Sequence, residues 1–220
     1  MKRREFSLAA VSAAATAISV PLSAQAQGPS ALKRPVEGTD YLLLDKRVPT
    51  DVGNGKIELI EFFWYSCPHC NAFEPQFVAW KKAAPKDVVV QRVPVRFRDD
   101  FEPQQRAYYV FEALNMLDVM HGKLFNAIHN ERQQLNSAAA LAAWADKNGL
   151  PEKKFMETYT SFGVASKARR ATQLQEAFKV QGVPALGIAG RYYTDGGLTQ
   201  TMERALQVAD YLLGEVRQGR

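Results

Sequence analysis

Residues 57–75, IELIEFFWYSCPHCNAFEP, constrain this chain more than any other stretch, because they set both of its cysteines, with two residues between them, at the end of an apolar run. Residues 57–64 are apolar on both alternating faces, with Ile60, Phe62 and Trp64 against Leu59 and Phe63. That pattern predicts a central strand covered on both sides. After Ser66 the period becomes helical. Pro68 suits a first helical position, where its missing N–H is not needed, and Phe73, Phe77 and Trp80 recur at spacings of four and three. Pro75 then falls inside the helix, where its ring presses on the carbonyl of Asn71, so a kink is expected there.

This placement carries chemistry. Only a thiolate attacks a disulfide or leaves well from one, and the free N–H groups and positive dipole end of a helix stabilise a negative sulfur at Cys67. Cys67 is therefore read as the exposed nucleophile. Cys70, one turn deeper, closes the ring onto Cys67 or resolves a mixed disulfide. His69 between them adds a donor or a positive charge and is expected to lower the Cys67 pKa further. A stabilised thiolate favours the reduced pair, which makes the disulfide a stronger oxidant.

The run EFFWYSCPHC, with a later GVPA at residues 182–185, resembles the DsbA family, thioredoxin-fold thiol oxidases of the bacterial periplasm. CPHC is that family's usual active-site sequence, whereas cytosolic thioredoxins usually carry Gly-Pro between the cysteines. The oxidising direction argued above is a known property of that family rather than an independent result. The resemblance covers essentially the whole chain after its first 26 residues. It implies an α/β thioredoxin fold with an inserted helical domain, and no cofactor or metal beyond the Cys67–Cys70 disulfide. Cys67, Pro68, His69 and Cys70 would be catalytic.

From the residues alone, Val183-Pro184 is a proline opening a strand. The resemblance implies instead a cis peptide facing the cysteines, with Val183 offering backbone groups to an extended substrate. Valine there resembles the oxidases of the family, where isomerases more often carry threonine. Glu61 shares a strand face with Leu59 and Phe63, so burial is expected, with Arg92 as ion-pair partner. By resemblance Glu61, six residues before Cys67, helps move the proton of Cys70. The family commonly has lysine where Arg92 stands, and arginine can tune the acid but cannot itself relay a proton.

Residues 1–26 read as an export signal: Lys2, Arg3 and Arg4, then an alanine-rich core from Leu8 to Val20, then Ala24-Gln25-Ala26 before Gln27. The core is too short and too often interrupted to span a bilayer. Arg3 and Arg4 followed by Glu5 and Phe6 resemble a twin-arginine signal, while Ser7 stands where that motif prefers an apolar residue, so Sec and twin-arginine export both stay open. Removing the segment takes three basic and one acidic side chain from a net charge of +5 and leaves +3 on 194 residues. That charge gives no reason to expect nucleic acid or a membrane surface as partner. An exported chain is free to use structural disulfides, yet this one keeps only the exchangeable pair.

The expected division is a first thioredoxin part at 27–98, a helical insertion at 99–164 and a second thioredoxin part at 165–220. Residues 41–44 form a short strand, 51–56 a turn, and 88–97 a strand whose Pro94 points to a sheet edge or bulge. Strand, helix and strand at this spacing make a right-handed βαβ unit. Apolar stripes through Ala107, Val110, Phe111, Leu114 and Leu117, and through Met120, Leu124, Phe125 and Ile128, predict two helices. Ser137 opens a third that ends at Gly149, and Pro151 opens a fourth. Residues 166–179 lead back to the sheet, 183–189 and 191–194 form a hairpin across Gly190, and 199–216 close the chain as a helix.

Four other readings stay in view. A zinc module would need further ligands from His69, His121 and His129, but His121 and His129 are eight residues, about 12 Å, apart on one expected helix. A c-type haem site needs histidine after Cys70, where Asn71 stands. A reductase or isomerase of the same fold, and a polypeptide-binding protein without redox activity, are the remaining alternatives. The implied partners are unfolded exported polypeptides and a membrane quinone-coupled reoxidant of the DsbB type, and the protein is expected to be a monomer in the periplasm of a Gram-negative bacterium.

Overall fold

The apolar run forms the expected strand, Ile57–Phe63, buried at all seven positions. The structure, a computed structural model, describes residues 33–219, so the expected export signal lies outside the described residues. The elements in order are β1 (Leu42–Leu43), β2 (Ile57–Phe63), α1 (Pro68–Ala83), β3 (Val88–Pro94), α2 (Glu102–Ala113), α3 (Leu117–His129), α4 (Ala138–Lys147), α5 (Glu152–Tyr159), α6 (Phe162–Ala177), β4 (Ala185–Ile188), β5 (Tyr192–Asp195), α7 (Gly196–Thr199) and α8 (Met202–Arg217). The strands lie in the order β1-β5-β4-β2-β3. β2 pairs in parallel with β3 and antiparallel with β4, so it has a neighbour on each side, and Glu61 stands opposite Arg92. β3 is the edge strand, which is where a proline without an N–H does least harm.

Alternation along β2 divides the core. Leu59 joins Phe73 and Phe77 of α1 and Val208 and Leu212 of α8 on one side of the sheet. Ile60 and Phe62 join Phe111, Leu124, Leu141 and Phe155 of the helical insertion on the other. Insertion and sheet therefore share one apolar interior, and from Pro35 onward the described chain is one compact unit.

Local chemistry sets the boundaries. Ser137 Oγ accepts the Ala140 N–H at the start of α4, and Gly149 takes φ +92 just beyond its end. The β4–β5 turn has Ala189 and Gly190 at φ 55 and 64. A Cβ on Gly190 would come within 1.9 Å of the Val48 carbonyl oxygen, so only glycine fits.

Four boundaries differ from expectation. α6 starts at Phe162 rather than Ser166, because Ser161 Oγ caps the Val164 N–H, and the helix runs unbroken past residue 164. β3 stops at Pro94 instead of reaching Phe97, and only the Val95 N–H reaches back to the Phe63 carbonyl. β4 begins at Ala185, since Val183 and Pro184 lie in the loop before it. Gln200, at φ 66, separates the single turn α7 from α8, which Thr201 caps. Pro75 lies within α1, which continues through it.

Candidate functional site

β2 delivers the chain into a three-residue loop, 64–66, and Cys67 then caps α1 with extended backbone, φ −82 and ψ 116. Its Sγ accepts the Cys70 N–H at 3.4 Å, and Pro68 takes the first helical position as expected. Both thiols are free in this structure. The Val183–Pro184 peptide is cis, and the Cys67 thiol donates to the Val183 carbonyl at 3.3 Å. That contact corrects the reading of Cys67 as exposed: with the cis-proline loop over its sulfur it is only 7% exposed. Pro68 and His69 are the exposed members of the motif.

Cys67 is held down to about 6, first by the Cys70 thiol donating to it and then by the N–H groups of Cys70 and His69, against burial, which pushes it up. The His69 charge lowers it further, in the expected direction, and is the weakest of these contributions. The backbone is fixed in direction by the helix, while an exposed imidazole is screened by water. Cys70 moves the opposite way, far above the thiol range, because it is buried and faces a Cys67 thiolate.

Beneath the pair, Glu61 is 2% exposed and its Oε2 lies 3.0 Å from Arg92 Nε. Burial raises it to about 8 although Arg92 pulls it down. The Glu61–Arg92 contact is close without being aligned as a hydrogen bond. The aligned bond of Arg92 runs from Nη1 to Glu74 Oε1 at 2.9 Å. Arg92 is thus shared between two carboxylates, and Glu74 was missed. Its signal was available: Glu74 lies one turn after Cys70 on α1, on the same side of the helix.

His121 extends this buried group. Its Nε2 lies 3.6 Å from Glu74 Oε2, and its Nδ1 is 2.8 Å from the Tyr65 hydroxyl. Burial holds it down to about 4, so the ring is neutral at pH 7. With its proton on Nε2, toward Glu74, His121 accepts from Tyr65 at Nδ1. His129 donates from Nε2 to the Tyr65 carbonyl at 2.7 Å. Both histidines thus hold the loop that precedes Cys67. Nothing in the local sequence of α3 marks them, because the register of α3 on the loop is a tertiary fact. Among the described residues no group of three or more His, Cys, Asp and Glu is arranged for a metal ion.

A groove of about 720 Å³ opens beside the pair, lined among others by His69, Phe73, Val183, Pro184 and Met202. Among the described residues no helix is long and apolar enough to cross a membrane.

Comparison with known proteins agrees with this geometry. Residues 58–207 match the family model of the DSBA-like thioredoxin domain. The thiol:disulfide interchange protein DsbA of Bordetella parapertussis is 40% identical over 96% of this chain and 95% of its own length. The crystal structure of Pseudomonas aeruginosa DsbA superposes with a TM-score of 0.80 at 34% identity, over 84% of this chain and 96% of that one. The oxidoreductase NmDsbA1 of Neisseria meningitidis gives 0.73 at 26% identity, over 84% and 95%. With a cysteine pair capping a helix on a thioredoxin sheet and relatives of this similarity, the chain belongs to the DsbA family of thiol:disulfide interchange proteins, oxidoreductases of the thioredoxin fold.

Proposed function

We propose that the protein is a periplasmic dithiol oxidase that passes its Cys67–Cys70 disulfide to newly exported polypeptides. A substrate thiolate attacks Cys67 Sγ, the new S–S bond forms, the Cys67–Cys70 bond breaks, and its electron pair leaves on Cys70. Glu61, held near 8 and so mostly protonated at pH 7, gives Cys70 its proton. A second substrate thiolate then attacks the substrate sulfur of the mixed disulfide and expels Cys67 as a thiolate. Two substrate thiols are oxidised, the pair is reduced, and the remaining proton goes to solvent. Val183 and Pro184 line the groove beside Cys67, where an extended substrate would pair with the Val183 backbone once it displaces the thiol contact. A membrane quinone-coupled partner of the DsbB type would reoxidise the pair, and the chain would work as a monomer. The signal-like residues 1–26 support the periplasmic assignment, by either export route.

The observation that carries this reading is the different seat of two thiols one turn apart: Cys67 Sγ caps α1 and accepts from the Cys70 thiol and N–H, which lowers it, while Cys70 is buried a turn inside, which raises it. An acidic Cys67 is a good leaving group, which favours donation over reduction. Equilibration with glutathione buffers tests it. The pair is expected to become reduced at low ratios of reduced to oxidised glutathione. A pair that stays oxidised in excess reduced glutathione would move the assignment to a reductase of the same fold.

A further inference from the structure

The loop between β2 and α1 is held at every residue by side chains of the helical insertion or its first turn. Trp64 stacks on Phe101 at 3.8 Å between ring centroids. Tyr65 is bonded through its hydroxyl to His121 and through its carbonyl to His129. Ser66, directly before the reactive cysteine, is held by Gln104 of α2. Gln104 Oε1 accepts the Ser66 N–H at 3.2 Å, and its Nε2 donates to Ser66 Oγ at 2.7 Å and to the Leu135 carbonyl at 2.9 Å. Its amide can sit only one way round, because the Ser66 N–H demands an acceptor and the Leu135 carbonyl a donor.

Gln104 is 2% exposed and packs among the buried side chains of α2. Burying an amide there costs free energy that an apolar residue of similar size would not, unless its hydrogen bonds are made. What glutamine adds at this position is the bridge itself: one amide ties the Ser66 peptide, the Ser66 hydroxyl and the segment after α3 into one rigid group. The acidity of Cys67 depends on its sulfur staying on the N–H groups of Cys70 and His69. Those groups belong to α1, whereas the approach of Cys67 to them is set by the peptide before it.

We propose that Gln104 is a positioning residue for the redox centre: from the insertion it pins Ser66 so that Cys67 Sγ stays seated on the N-terminus of α1. The proposal rests on Cys67 being the acidic, reacting thiol. It assigns the insertion a part in setting that acidity, in addition to covering the sheet.

The test is the Cys67 titration, read as alkylation rate against pH in reduced protein. Gln104→Met keeps length and volume and removes all three polar contacts. Its thiolate fraction at pH 6 is expected to fall about two- to fivefold, the effect of losing one or two net hydrogen bonds' worth of positioning. Ser66→Ala, which loses only the hydroxyl contact, should shift the midpoint in the same direction by less. Gln104→Met that is less stable to denaturant but titrates like wild type would overturn the proposal, since a purely structural residue would behave that way. If Gln104→Met does not fold, Ser66→Ala decides, and a Cys67 midpoint equal to wild type there overturns it. A wild-type midpoint near the free-thiol value is a different result, which removes the proposed function first and this inference with it.

Discussion

Cys67 and Cys70 are the same side chain three residues apart, both covered, and the fold drives them in opposite directions, Cys67 down to about 6 and Cys70 far up. Burial raises both. The difference lies in what else each sulfur meets. Cys67 caps a helix and receives one thiol and two backbone N–H donors, whereas Cys70 sits a turn inside, toward the Glu61 carboxyl and the Cys67 thiolate. Glu61, on the floor, behaves like Cys70: a neighbouring guanidinium does not outweigh its burial. Donors directed at the group, rather than depth, decide which form the fold prefers.

The largest break in this comparison comes from removing the main donor. Cys70→Ala takes away the thiol that contributes most to the acidity of Cys67 and leaves both backbone N–H groups in place. The Cys67 midpoint is expected to rise by about one unit, a tenfold loss of acidity. Thiolate absorbance against pH measures it. An unmoved midpoint would assign the acidity to the helix end alone.

Next in size is a pH dependence that separates the redox forms. The folded pKa of Cys67 is lowered from the ordinary thiol value of 9.0 to about 6, so its stabilising contribution is complete above pH 9 and is lost as pH falls through 6. Only the reduced protein has this thiolate. The raised Glu61 works in the other direction, stabilising below 4.5 and losing its effect as pH rises through about 8, but it does so in both forms and largely cancels in the comparison. A cross-link closing so short a loop constrains the unfolded chain little. The reduced form is therefore expected to be the more stable at neutral pH. Its Cys67 contribution is on the order of 1 kcal/mol at pH 7 after allowance for solvent screening, growing toward pH 9. Denaturant midpoints of both forms at pH 6, 7 and 9 check this. A gap that does not change with pH would show that the thiolate is not what the fold stabilises.

The same division between helix end and floor explains what was legible in the sequence. The β2 run, the cap at Cys67, Pro68 at the first helical position and the edge placement of Pro94 all rest on local periodicity and backbone chemistry, and the structure has them. The pairing of Glu61 with Arg92 was readable because parallel strands in register put the two opposite each other. Glu74, His121 and Gln104 were not read. Glu74, one turn after Cys70 on α1, could have been read from its helical spacing, whereas His121 and Gln104 could not, because no spacing along the chain encodes how α2 and α3 are rotated on the loop. That Val183-Pro184 faces the pair came from the resemblance and not from spacing, since Val183 is 116 residues away, and the burial it imposes on Cys67 was not read.

The smallest expected effect tests the floor itself. In the recharging step of the proposed cycle, Cys67 would be held in a mixed disulfide with an oxidising partner, and Cys70 would have to lose its proton before attacking Cys67 to release that partner. Glu61 is suited to take the proton: at about 8 its affinity is matched to neutral pH, and it is one of the charges Cys70 meets. Glu61→Gln keeps the shape, cannot take up or give a proton, and removes the negative charge that the minority ionised form of Glu61 carries at pH 7. Release of a model mixed disulfide should slow about threefold at pH 7, because water still offers Cys70 another route. The dependence of release on pH near 8 should flatten, while the Cys67 midpoint stays equal or falls. Arg92 keeps its aligned bond to Glu74 in this variant, so a general collapse of the floor is not expected to mimic the effect. Equal release rates in wild type and Glu61→Gln would leave Glu61 as an ion-pair partner of Arg92, with Cys70 set apart from Cys67 by burial alone.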